Sequence, residues 1–340
     1  MREIFSIRKI QTAILLGVAM LGASCGNKGI DISSTYKDVD IQRFEQDLFA
    51  IPIDSVWQHV PQMEQKYGQF FDLYNQRIIC IGGTNQLNYD QKLASFLTDP
   101  DIRGSYREVS RIFGTGQLTF NRELSEAWAR MAVLFPDIEL PKIYTHLSGF
   151  NQNIVVDSGV ISISLDKYLG VNHKYYQMLR TPVYLQRNMH PQKVATDVVQ
   201  ALCLTEFEYK PKDDNLISQM LYYGKIHVLL DALLPNAPDT LKWGYSRQQL
   251  DWCHRNEQQM WLSMVEKDAL FSTSTKEINR MVAPAPFTAS FSQKSPGGVG
   301  QWLGYQIVKS YLKHNPKVTI QELMRENDYQ MVLNASRYKP

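Results

Sequence analysis

The sequence predicts an α+β fold, predominantly helical, with a small central β-sheet built around a hairpin. Three observations carry this expectation. Amphipathic stretches with capping residues run through most of the chain, and β-type segments are confined to residues 143–165. The composition is that of a folded body: 44% of the 340 residues are hydrophobic and 21% are charged, values that argue against disorder. With 6 Trp, 18 Tyr and 14 Phe, the chain can bury a sizeable core without disulfide or metal staples.

Taken in order, Asp54 caps a short helix interrupted at Pro61. Asp99-Pro100 places an N-cap before a proline at the first helical position and opens a helix to Phe113. From Asn121 to Phe135, the residues Leu124, Ala127, Trp128, Met131 and Leu134 share one helical side, and Pro136 closes it. Ile143–His146 reads as a strand. Ile154–Val156 and Val160–Leu165 flank Asp157-Ser158-Gly159, a hairpin signal. Helices return at about 191–208, 214–234, 246–270, 298–314 and 320–327, the last opened by the capping-box spacing Thr319-Ile-Gln-Glu322. No repeat and no internal linker follows Val39, so residues 38–340 read as a single domain.

Charge excludes one large class. Lys and Arg total 36 against 34 Asp and Glu, a formal charge of +2. A nucleic-acid binder would carry a clustered basic excess.

The first residues read as an address and an anchor. Arg2, Arg8 and Lys9 precede the uncharged run Thr12–Gly22, whose eleven residues would span only about 16 Å as a helix, too short to cross a bilayer. Basic start, short apolar run and small-residue end describe an export signal over residues 1–24. Leu21-Gly-Ala-Ser-Cys25 resembles a bacterial lipobox, with the usual Leu one place early. The resemblance implies that Cys25 is acylated and becomes the first mature residue, followed by a tether over 25–37. Acyl chains hold such a protein on a membrane, and no later window offers 18 uncharged apolar residues. No acidic cluster follows the anchor, so the expected location is the outer membrane with the body in the periplasm. Cys80, Cys203 and Cys253 all sit in apolar sequence and read as buried free thiols.

Chemical motifs are sparse. None of the seven histidines (His59, His146, His173, His190, His227, His254, His314) lies within four residues of another, so no local chelate exists and no metal or other cofactor is expected. Phosphate-loop, dinucleotide and nucleophile-elbow patterns are absent. Ser295-Pro-Gly-Gly-Val-Gly300 reads as a tight lead-in to a helix, with a backbone anion nest as the other reading. Three polar placements stand out. Glu257 shares the apolar stripe Leu250, Cys253, Met260, Trp261 and should face inward with a partner. His227 and Asp231 are four apart on one helix and can pair. Glu206 has Lys210 four residues later. A structural ion pair or hydrogen bond is the plain reading of each.

Several stretches together resemble the GldB-type gliding-motility lipoprotein family of Bacteroidota. They are Ile41–Phe49, Tyr144-Thr-His-Leu-Ser-Gly-Phe-Asn151, Ile163-Ser-Leu-Asp-Lys-Tyr-Leu-Gly170, Asp231-Ala-Leu-Leu-Pro235, Trp252–Glu257, Ala285-Pro-Phe-Thr288, Gly300–Val308 and Ser336–Pro340. This resemblance implies a lipid-anchored envelope protein with partners in the motility and secretion machinery. The family in turn looks distantly similar to gluzincin metallopeptidases, which implies a degenerate zincin-like architecture. Laying the gluzincin pattern here puts Gln200–Leu204 where H-E-x-x-H would stand and Tyr223 where the Glu ligand would stand. No ligand survives, so no zinc-activated water is available for peptide hydrolysis. The expected function is a non-catalytic binding or scaffold component. Its groove would lie between the strand Val160–Leu165 and the helix 191–208, and a partner strand would add there. The alternative is a hydrolase of non-metal chemistry in which Glu206, Glu257, His227 and Asp231 converge.

Overall fold

Four short strands, β1 (Ile41–Arg43), β2 (Lys142–His146), β3 (Ile154–Asp157) and β4 (Val160–Ser164), form one sheet in the order β1-β2-β4-β3. The structure is a computed structural model describing residues 29–340. The signal segment, Cys25 and the first tether residues lie outside the described residues. β1 and β2 pair in parallel, as do β2 and β4, while β3 returns antiparallel to β4 through the Ser158-Gly159 turn. All five residues of β4 are buried, as befits a strand that lies between β2 and β3 and packs against α9. The sequence places the groove beside β4, and the structure corrects this: β3 is the outer strand. A hairpin signal pairs β3 with β4 but cannot say which of the two β2 will join.

Six helices surround the approach to β2: α1 (Phe44–Ala50), α2 (Val56–Tyr67), α3 (Gln69–Leu73), α4 (Tyr89–Thr98), α5 (Pro100–Phe113) and α6 (Asn121–Leu134). Two short ones follow the sheet, α7 (Lys174–Met178) and α8 (Val183–Gln186). The C-terminal half is α9 (Val194–Glu206), α10 (Leu216–Leu233), α11 (Asp239–Trp243), α12 (Arg247–Glu266), α13 (Thr275–Val282), α14 (Val299–His314), α15 (Ile320–Arg325) and α16 (Tyr329–Ser336). This is the helix-rich α+β arrangement the sequence predicts.

Aromatic residues fix one face of the sheet. Phe70 of α3 stacks on Tyr144 of β2 with centroids 4.2 Å apart, and Phe44 of α1 packs edge-on to Tyr67 and Phe70. α9 lies against β3 and β4, and α10 runs behind it, in contact with α6, α9, α13, α14, α15 and α16. A helix so enclosed is apolar on all sides rather than along one stripe. α10 and α14 cross at glycines: a Cβ on Gly224 would lie 2.4 Å from the carbonyl carbon of Gly304, and one on Gly304 would lie 1.8 Å from the carbonyl oxygen of Met220.

Three local expectations change. Pro61 does not interrupt its helix, since α2 runs through it from Val56. The carbonyl it deprives of a donor belongs to Trp57, in the first turn and 61% exposed, where water can replace the lost bond. Asp54 makes no side-chain cap and lies in a single 3₁₀ turn, Ile53–Ser55. Asp99 does cap α5, accepting from the amides of Asp101 and Ile102, and the Thr319–Glu322 capping box forms. Cys203 and Cys253 are buried, but Cys80 is exposed in a left-handed turn (φ 55°). Among the described residues no helix is long and apolar enough to cross a membrane.

Candidate functional site: a cationic cavity beside the outer strand

A cavity of about 330 Å³ opens where α9, the α10–α11 corner, the loop 181–189 and the strap Val282–Gly298 meet. Its wall begins with helical spacing. Lys193, Asp197 and Gln200 lie four and three residues apart and present one polar stripe to the cavity, while Val194, Val198, Val199, Leu202 and Cys203 turn into the core. Asp197 is held from both sides: Lys193 Nζ donates to Oδ1, and the Tyr168 hydroxyl donates to Oδ2 at 2.9 Å. A carboxylate fastened in this way orients a wall and is not free to act as a base.

His227 of α10 lies against Trp243, its ring centroid 3.6 Å from the indole ring and inclined at 14°. Burial pushes the imidazole pKa down to about 3, opposed by a hydrogen bond that the ring can donate to the Gln301 side chain, so the ring is neutral near pH 7. Gln301 also donates to the Val282 carbonyl at 2.6 Å, tying α14 to the strap. Beside them Lys242, whose side chain is 7% exposed, bridges Asp231 and Asp239. Opposing its desolvation, those carboxylates hold the ammonium pKa above its usual value. The second oxygen of Asp231 accepts from the Tyr305 hydroxyl at 2.6 Å.

The glycine-rich lead-in to α14 closes one side. A Cβ at Gly297 would lie 2.0 Å from the Ala285 carbonyl oxygen, and Thr288 Oγ1 donates to the Pro296 carbonyl and accepts from the Val299 amide. Tyr245 donates to the Gly297 carbonyl at 2.9 Å. The glycines therefore permit close packing of the strap against the helix start. The lining carries Lys167, Arg187, Lys193 and Lys242. Asp197 neutralises Lys193, and Asp231 and Asp239 neutralise Lys242 from behind the wall. This leaves Lys167 and Arg187 as the cations with no carboxylate in ion-pair contact among the described residues. Such a wall favours an acidic or carboxylate-bearing occupant, and Trp243, Tyr245 and the amides of Asn153, Asn188 and Gln249 offer it stacking and hydrogen bonds.

A second polar centre lies under the sheet. Asp166, fully buried, accepts from the amides of Ser148 and Phe150 at 3.2 and 2.8 Å and from the Ser164 hydroxyl. Ser164 Oγ in turn lies 2.7 Å from Ser148 Oγ. The stretches Tyr144–Asn151 and Ile163–Gly170 meet here. Their polar residues fasten a turn to β4, and only Lys167 among them reaches the cavity lining.

The residues singled out by sequence are dispersed. Gln200 and His227 line the cavity. Asp231 touches it through Lys242, so the expected His227–Asp231 pair does not form: the imidazole stacks on Trp243 while the carboxylate is taken by Lys242 and Tyr305. Tyr223 is half-buried one turn earlier on α10, beside Tyr222. Glu206 is exposed at the end of α9, and Lys210 pairs with Glu208 at 2.6 Å instead. Glu257 is half-buried and accepts from the Tyr338 hydroxyl at 2.7 Å. The inward placement expected for it holds only in part, and its partner is a neutral hydroxyl. Sequence reading missed Lys193, Asp197, Lys242, Trp243 and Gln301. The only local signal was the four-residue spacing of Lys193 and Asp197. Among the described residues no group of three His, Cys, Asp or Glu side chains is placed to hold a metal ion.

A family model described as gliding motility protein GldB matches residues 26–340. No curated protein and no solved structure matches the chain, so the gluzincin likeness gains no support from them.

Proposed function

Because the chain belongs to the GldB gliding motility family, a lipoprotein family, we propose that its body is a non-catalytic binding component of the envelope motility machinery. It would hold an extended segment of a partner protein. In this reading residues 1–24 are removed, Cys25 carries the lipid, residues 25–37 are the tether, whose end docks on α6 through Thr35, and residues 38–340 face the periplasm from the outer membrane.

The observation that carries the reading is the outer edge of β3 leading into the cavity. Asn153 accepts from the Ser164 amide across the hairpin, so the alternation of an antiparallel ladder turns the backbone groups of Ile154 and Val156 outward. They have no backbone or side-chain partner among the described residues. Asn153, at the head of this edge, lines the cavity. A segment added along β3 would gain main-chain hydrogen bonds and could place an acidic side chain or a terminal carboxylate beside Lys167 and Arg187. Binding rather than catalysis is favoured because Asp197 is fastened on both oxygens and His227 is stacked on Trp243. The four residues of the hydrolase alternative also do not converge.

The test places a photo-crosslinking residue at Asn153 in living cells and compares the parent with Val156→Pro. This change removes one outward donor and leaves the ladder to β4 intact. The expected result is a crosslink to one defined segment of an envelope protein, lost in Val156→Pro at unchanged melting temperature. A crosslink indifferent to Val156→Pro would discard the reading, as would the absence of any.

A further inference from the structure

We infer that the loop Gly170–Met189 is a platform by which the anchored body rests on an anionic phospholipid surface. Five of the twelve large hydrophobic side chains exposed among the described residues fall within it: Val171, Met178, Leu179, Val183 and Leu185, with Val183 at 72% exposure. The same region is one-sided in charge. From Lys167 to Thr196 the sequence contains five Lys or Arg and no Asp or Glu. Lys174, Arg180 and Arg187 are exposed, with Glu108 3.8 Å from Lys174, while Lys193 is buried on Asp197. Apolar groups interleaved with cations suit the boundary between lipid headgroups and acyl chains, where apolar insertion and attraction to anionic lipid act together.

The loop is built to hold that face outward. Its ends are joined by the Gly170 amide donating to the Met189 carbonyl at 2.8 Å, and the Thr181 amide donates to Tyr176 at 2.8 Å across its waist. Tyr176, fully buried, pins it to the body: its hydroxyl accepts from the Leu169 amide and donates to the Asp166 carbonyl. Tyr175, Gln186 and Met189 also point in. Met178, Leu179 and Val183 thus project from a fixed base.

A bilayer is the occupant because the anchor keeps one within reach. Thr35 already hydrogen-bonds to the Ala129 carbonyl on α6 at 3.0 Å. Nine residues lie between it and Cys25, so ten residue steps separate the two, about 33 Å at full extension. At that tether length a weak interfacial contact becomes intramolecular and is strongly favoured. The loop also supplies Thr181, Tyr184, Leu185 and Arg187 to the cavity lining, so lipid contact would set the cavity mouth close to the membrane. This inference rests on the lipid anchor of the family and not on the β3 edge.

The experiment uses the acylated mature chain in a Cys80→Ser background, reconstituted into vesicles of phosphatidylethanolamine and phosphatidylglycerol, or of phosphatidylcholine alone. Val183→Cys carries a nitrobenzoxadiazole fluorophore, and Leu262→Cys on α12 serves as the reference exposed apolar site. With phosphatidylglycerol, spin-labelled acyl chains should quench position 183 severalfold more than 262. Raising the salt concentration should weaken that difference, as should Lys174→Glu, Arg180→Glu and Arg187→Glu together, at unchanged melting temperature. Val156→Pro should leave it unchanged, which separates this test from the peptide reading. Equal quenching at 183 and 262 would overturn the inference, as would undiminished quenching in phosphatidylcholine. So would a protein crosslink from 183 in cells with no quenching in vesicles.

Discussion

His227 and Trp243 lie face to face, with ring centroids 3.6 Å apart, and this contact turns a helix histidine into a neutral wall of the cavity. The folded imidazole pKa of about 3 lies below the ordinary value near 6.5. The unfolded chain therefore takes the proton first. The contribution is fully present above about pH 6.5 and is lost as the pH falls towards 3, by up to about 1.4 kcal/mol per pH unit. His146, also pushed down to about 3 by burial, adds in the same sense, while burial raises Glu45 and Asp166 and they act oppositely. The comparison must therefore be between variants. Denaturant melts from pH 7 to 4.5 should show a shallower loss for His227→Gln than for the parent; parallel curves would contradict the desolvated stack.

The α10–α14 crossing should be intolerant of a single methyl group. A Cβ at Gly304 would meet the backbone oxygen of Met220 at 1.8 Å, and backbone cannot swing aside as a side chain can. Gly304→Ala should cost about 3 kcal/mol or more. Gly116→Ala, where nothing lies within 4 Å, should be close to neutral. Thermal and denaturant melts of the pair check this.

Asp231 should matter through Lys242. Asp231→Ala leaves a nearly buried ammonium with only Asp239, itself 69% exposed, and strands the Tyr305 hydroxyl. A loss of about 2 kcal/mol is expected, in the range for hydrogen bonds to charged groups. Adding Lys242→Met should recover part of it by removing the uncompensated charge. A double variant worse than the sum of the two would refute the pairing.

Glu257 should be a modest stabiliser. Full burial in an ion pair would make Glu257→Ala cost roughly 3–5 kcal/mol. The observed half-buried hydrogen bond from Tyr338 lowers the expectation to about 1 kcal/mol, with Glu257→Gln close to the parent. Equilibrium unfolding of both variants distinguishes the two magnitudes, and the envelope phenotype of the Gln variant should be unchanged.

Cys25→Ala should leave an unprocessed or mislocalised precursor that no longer incorporates labelled palmitate. Unchanged labelling would place the acyl chain elsewhere.

The fold class and most C-terminal helices were legible because caps and apolar periodicity are local signals. Asp99-Pro100, Thr319–Glu322 and the Asp157-Ser158-Gly159 turn each act within a few residues of themselves. β1 was not legible: three residues, Ile41–Arg43, gain strand identity only from their parallel partners Ile143–Thr145. The cavity was half legible. Gln200 and His227 were named, but Lys193, the adjacent Lys242 and Trp243, and Gln301 come from three separate segments, and no spacing rule relates those segments.

The sequence by itself determined the helix-rich α+β class, the near-neutral charge and the motifs that mark the family, since these depend on residue identity and short-range order. Only the tertiary structure decided which strand lies outside, which partner Asp231 takes and where His227 points. β3 is the edge because β2 pairs on the far side of β4, joining segments more than a dozen residues apart. Asp231 abandons His227 because Lys242 and Tyr305 reach it from α11 and α14 and satisfy both its oxygens. An i, i+4 spacing allows a pair; the competition among groups brought in by packing chooses it.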